Sequence, residues 1–130
     1  MAVTHITALR TTLATAVRDA IDGGAGAGKL VFRLSGTVSA PGTAVATLTL
    51  SDPCGTVSNG VLTFSAITSD TNATGNASAV AAATLQTSAD SVQVHCAVAA
   101  SASDINMTGG LTIAAGDTVS CSSLTYTAPA

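Results

Sequence analysis

The chain has 130 residues, no Trp, 2% aromatic residues and only 8% charged residues, with a net charge of −3. That length supports one domain with a real core and not two. Four Lys and Arg residues against seven acids, all of them Asp, leave no electrostatic footprint for nucleic acid. No apolar run is long enough to span a bilayer.

The first element predicted is a helix. Ile6, Leu9, Leu13, Val17 and Ile21 recur at spacings of three and four, which places them on one stripe of a 3.6-residue helix. Thr4, Thr11, Thr15, Arg18 and Asp22 fall on the opposite side, so the helix is amphipathic. Thr4 is the expected N-cap and the Gly23-Gly24 pair the expected left-handed stop. The many Thr residues lower its intrinsic stability, so it forms by docking. Two surfaces qualify: the open face of its own β-domain, or a neighbouring molecule. The five stripe residues are therefore the candidate assembly interface.

Arg10, Arg18 and Asp19 interrupt the apolar positions, so the start of the chain does not read as a signal peptide. The expectation is a protein made in a cytoplasm. Residues 1–24 form the helical segment, 25–29 a Gly/Ala hinge and 30–130 a β-domain. The run GGAGAGKL from Gly23 to Leu30 has the spacing of a phosphate-binding loop. However, Leu30 stands where a Ser or Thr must hold the metal. The order is also helix, loop, strand, the reverse of what a phosphate cradle needs.

Alternation then predicts short strands: Leu30 to Ser35, Ala44 to Ser51, Val61 to Thr68 and Ser91 to Ala99. Asn59-Gly60 is a tight-turn dipeptide that launches the third of these. Ala77 to Leu85 is Ala-rich and reads as a strand, because Gly75, Asn76 and Ser78 crowd its start. Further short strands are expected around Ile105 and Met107, at Leu111 and Ile113, and from Thr118 to Thr127. Turn residues at these intervals predict a mainly β chain: a β-sandwich or jelly-roll-like domain preceded by one N-terminal amphipathic α-helix.

The side-chain chemistry is sparse. His95 and Cys96 are adjacent, and neighbours on a strand face opposite sides, so they form no nucleophile–base pair. Two His, no Glu and scattered Asp give no metal cage and no cofactor site. Cys54, Cys96 and Cys121 read as free thiols packed as small hydrophobes; a Cys96–Cys121 bridge is sterically conceivable but not indicated. Asn72, Asn76 and Asn106 start glycosylation sequons that are coincidental without export. No catalytic residues are assigned and the chain is not read as an enzyme. Three readings of different kind follow: a protein that assembles with copies of itself, a sugar-binding β-sandwich, and an enzyme. Phe32, Phe64 and Tyr126 are too few aromatics for a sugar platform, which ranks the first reading highest.

ALRTTLATAVRDAIDGGAGAGKL (Ala8 to Leu30), LTLSDPCGTVSNGV (Leu48 to Val61), AITSDTNATGNAS (Ala66 to Ser78) and AAGDTVSCSSLTYT (Ala114 to Thr127) resemble a family of small virion proteins of tailed bacteriophages. The chain departs from the family at Cys54 and from Val80 to Ala83, where aromatic residues are expected. The resemblance implies a capsid cement or decoration protein on the outside of the head. Its partners would be the major capsid protein and copies of itself, as a homo-oligomer, with no nucleic acid and no membrane. A tail or head–tail connection protein is the alternative.

Overall fold

The computed structural model describes residues 3–130. It contains one helix, α1 (Thr7–Ile21), and eight strands: β1 (Lys29–Arg33), β2 (Ala44–Thr49), β3 (Gly55–Ser58), β4 (Val61–Phe64), β5 (Ala82–Gln86), β6 (Val92–Ala99), β7 (Ile105–Asn106) and β8 (Thr125–Thr127). The strands form a curled five-stranded sheet in the order β2-β1-β5-β6-β7 and a three-stranded sheet in the order β3-β4-β8. The chain is mainly β with a single N-terminal helix, a sandwich-like arrangement of two sheets around one core.

Alternation explains which side of the large sheet faces inward. Leu30 lies between Leu48 and Leu85, and Phe32 between Ala46 and Ala83, in antiparallel register. All six are buried. Leu62 and Phe64 of β4 meet them from the small sheet within the same cluster. The β1–β2 register slips between Phe32 and Arg33, so the consecutive residues Val45 and Ala46 are both buried. Of the Ala-rich segment Ala77 to Leu85 only Ala82 onward is a strand, β5, and it runs through the middle of the sheet with all five residues buried. Small side chains let two faces pack closely on it.

The other face of β5 is polar. Arg33 donates from Nε to Thr84 Oγ1 (3.1 Å), from Nη1 to the Gly42 carbonyl (2.7 Å) and from Nη2 to Gln86 Oε1 (3.1 Å). Gln86 Nε2 continues to Asp90, which also pairs with Lys29 at 2.8 Å. Thr84 and Gln86 are almost fully buried, and this network is what makes their burial tolerable.

Asn59 and Gly60 both adopt positive φ (51° and 79°) and join β3 to β4 directly, with Ser58 opposite Val61. This is the two-residue hairpin that the Asn-Gly dipeptide predicts. Towards the C-terminus the strands are shorter than expected. Leu111 to Ile113 is not a strand, and only Thr125–Thr127 of the last predicted strand is one. β6 meets β7 only at Val98 and Ala99, so among the described residues Val92 to Cys96 have no strand on that side.

Candidate assembly surface

The helix docks on its own domain, against β3, β4 and β6. Its N-cap is Ile6, with no side-chain cap, in place of the expected Thr4. Two of its threonines bond back to the preceding turn: Thr12 to the Ala8 carbonyl and Thr15 to that of Thr11. This satisfies hydroxyls that otherwise compete with the helix. Thr11 Oγ1 also accepts the Gly60 N–H at 3.0 Å, which ties the hairpin tip to α1. A Cβ at Gly60 would come within 2.8 Å of Arg10 Cβ, so glycine suits both the backbone and the contact.

Hydrogen bonds tie the segment after α1 to the β-domain. Asp22 accepts the Cys54 N–H at 3.0 and 3.1 Å through its two carboxylate oxygens. Gly26 N–H reaches Ser88 Oγ at 3.2 Å, and Leu50 N–H reaches the Gly28 carbonyl at 2.9 Å. Neither Gly23 nor Gly24 is in the expected left-handed conformation; a Cβ at Gly24 would collide with Ser88. Gly24 and Gly28 serve close approach, whereas a Cβ at Gly26 would meet nothing, and the loop is a strap.

The predicted stripe is divided by the docking. Ile21 is fully buried and packs inside the domain, so it is removed from any outward contact. Val17 and Leu13 are half-buried against the core. Ile6 and Leu9 face outward, 74% and 43% exposed. Ala14, absent from the predicted stripe, is fully buried in their stead. The inner edge of α1 is therefore Arg10, Ala14, Val17 and Ile21. Its outer edge is Ile6, Leu9, Leu13, Ala16 and Ala20. An alanine at i+3 or i+4 is the only mark of the inner edge in the sequence, and alanine occurs on both edges.

An open groove of about 350 Å³ runs beside this outer edge. Its floor is Leu13, Ala16, Val17 and Ala20, and its walls are Gln93 and Val94 of β6 with Tyr126 and Pro129 near the C-terminus. Gln93 and Tyr126 are the polar side chains among them, so the groove offers van der Waals contact, one amide and one phenolic hydroxyl. Ile6 and Leu9 continue the same helical edge beyond it. The C-terminal segment is fixed in place: Arg10 Nη2 donates to the Ala128 carbonyl at 3.3 Å and Ala128 N–H to that of Gly60 at 2.9 Å.

A second, larger cleft of about 640 Å³ lies among residues 104–125. Asp104, Asp117 and several Ser and Thr residues line it, without a His or a Lys. It lacks a nucleophile–base pair. Cys121 at its edge bonds the Ser123 carbonyl through its thiol, and burial raises its pKa. Burial, reinforced by the Asp22 carboxylate, pushes the Cys54 thiol up to about 12. Burial and Asp104 push Cys96 up to about 11. Thiols so held stay protonated at neutral pH and are poor nucleophiles. All three cysteines are free. His95 pairs across with Thr84 and Cys96 with Ala83, which puts their side chains on opposite faces. Among the described residues no three His, Cys, Asp or Glu side chains gather as metal ligands. No described helix is long and apolar enough to cross a membrane.

Compared with family models, curated proteins and solved structures, the chain matches none.

Proposed function

We propose that the chain is a structural virion protein: a capsid cement or decoration protein that stabilises a phage head through contacts with major capsid proteins and with copies of itself. The observation that carries this reading is the uncovered apolar edge of α1 and the groove beside it. A domain with its own complete core gains nothing internally from leaving Ile6, Leu9 and Val3 exposed. Such surface is characteristic of a contact site. The docked helix and strapped loop hold that surface rigidly, so association loses little conformational entropy.

The rest of the molecule agrees with this. Its surface is nearly uncharged, which favours close lateral packing over long-range steering. Burial raises the pKa of its thiols, and its larger cleft is lined by Asp, Ser and Thr without a His or a Lys. The resemblance of four segments to small phage virion proteins supplies the setting, a shell in which many weak contacts add through multivalency. The test is to incubate the purified, labelled chain with virions and with empty heads of the phage that carries its gene. Stoichiometric, saturable labelling of the head, and heads that withstand higher temperature or lower salt, are expected. Label confined to the tail or the neck would replace this reading with the tail or head–tail alternative. No attachment at all would end it.

A further inference from the structure

We infer that α1 pairs with α1 of a second copy, antiparallel, about a two-fold axis passing beside Leu13. This extends the self-contact part of the proposed function, but it is readable in solution without any head. The outer edge has the spacing of a coiled-coil seam. Ile6, Leu9, Leu13, Ala16 and Ala20 follow one another by three, four, three and four residues. Ile6, Leu9 and Ala16 are exposed and Leu13 and Ala20 half-buried, Leu13 with one side on the core, while the inner-edge residues Ala14 and Ile21 are sealed beneath them.

The seam is self-complementary in one direction only. In an antiparallel pair centred on Leu13, Ile6 meets Ala20 of the second copy and Leu9 meets its Ala16. Large side chains thus face small ones at every level except the axis, where the two Leu13 side chains meet. A parallel pair would stack Ile6 on Ile6 and Leu9 on Leu9 at one end. At the other end it would leave Ala16 and Ala20 facing their own equivalents across a gap. The alanines allow the axes to approach to about 8 Å.

Charge points the same way. The helix N-terminus has no side-chain cap and no acid in its first turn. The antiparallel register brings the exposed Asp19 of the second copy alongside that end. A carboxylate is favourable there because the free N–H groups carry partial positive charge. Asp19 is 62% exposed at its side chain and pairs with Arg18 of its own helix at 3.0 Å, so it reaches this position with little desolvation but with that cation beside it. Val94, Tyr126 and Pro129 then form the outer wall against the incoming helix. With these walls, two 15-residue helices would bury on the order of 1,200 Å² in all, the lower end of specific interfaces. The contact is isologous, so it closes as a dimer and does not propagate.

Sedimentation equilibrium of the full chain should give a species of twice 12.5 kDa at micromolar concentration. Ala16→Glu should raise the dissociation constant by at least about a hundredfold, since it puts a charge at a central apolar contact. Its far-UV circular dichroism should be unchanged, because Ala16 is exposed in the single chain. A mixture of Leu9→Cys and Ala16→Cys chains should cross-link to each other on mild oxidation, as mapped by peptide mass spectrometry, whereas Leu9→Cys chains alone should not. A monomer at all concentrations, a dimer indifferent to Ala16→Glu, or Leu9→Cys chains bridging to themselves would overturn the pairing. Head attachment by a strictly monomeric chain would refute the pairing and leave the virion role standing. A dimer that ignores heads would do the reverse.

Discussion

The two edges of α1 are built from similar residues and meet opposite fates. Ala14 and Ile21 are sealed over the β-domain, Leu13, Val17 and Ala20 are half-buried between the two edges, and Ile6, Leu9 and Ala16 look outward, the larger of them as apolar as any residue inside. Hydrophobicity therefore does not choose the docking edge. Fixed points at both ends do. The Asn59-Gly60 tip bonds to Thr11 at one end, and Asp22 bonds to Cys54 at the other. Together they set the rotation of the helix about its axis.

The comparison breaks most sharply at Ile21. Ile21→Ala should cost about 2–5 kcal/mol of folding stability, as a fully buried side chain is replaced by a cavity. Urea unfolding followed by circular dichroism would read it, and a loss below 1 kcal/mol would mean that the inner edge is not core. Gly24→Ala comes next. The added methyl collides with Ser88, and a cost of about 1–3 kcal/mol is expected. A true hinge would instead gain stability from the same change, so the sign of the shift decides. Asp22→Ala leaves the Cys54 N–H without its acceptor and should cost about 1–2 kcal/mol.

A pH-dependent effect should come from alkali. The Cys54 thiol, beneath the inner edge, ionises near its ordinary value of 9.0 in the unfolded chain but only at about 12 in the fold. Above pH 9 the unfolded state therefore binds fewer protons than the folded one. Stability is unaffected below that point and falls as pH climbs towards 12. Cys54→Ala, compared with the parent across that range in urea titrations, should flatten the decline. The smallest effect belongs to the outer edge. Ile6→Ser should shift stability by no more than about 0.5 kcal/mol when measured at low protein concentration, where any pairing is dissolved.

Much of the fold was legible from local pattern. Alternation located β1, β2, β4 and β6, and the Asn-Gly turn located the hairpin, because both signals depend on neighbours in sequence. β5 was legible despite its alanines through the turn residues before it. β3 was not, since Gly55–Ser58 is short, follows a proline, and becomes a strand only by pairing with β4. The bonds that tie down the strap were not legible for a similar reason. Glycine signals freedom in isolation, and Ser88, which removes that freedom, lies 62 residues from Gly26. The stripe on α1 was found, but its partition into inner and outer edges depends on tertiary anchors. From the sequence, Ile21 and Ile6 are equivalent.

Val92 to Cys96, half-buried and without a strand partner along one side of β6, bear on solubility. A strand margin of that length is a template on which foreign or identical chains can polymerise. It adjoins the groove through Gln93 and Val94, so whatever fills the groove also fences off the template. Blocking the outer edge of α1 should therefore shield the chain from fibril growth, and variants that keep that edge bare should be the first to precipitate on storage.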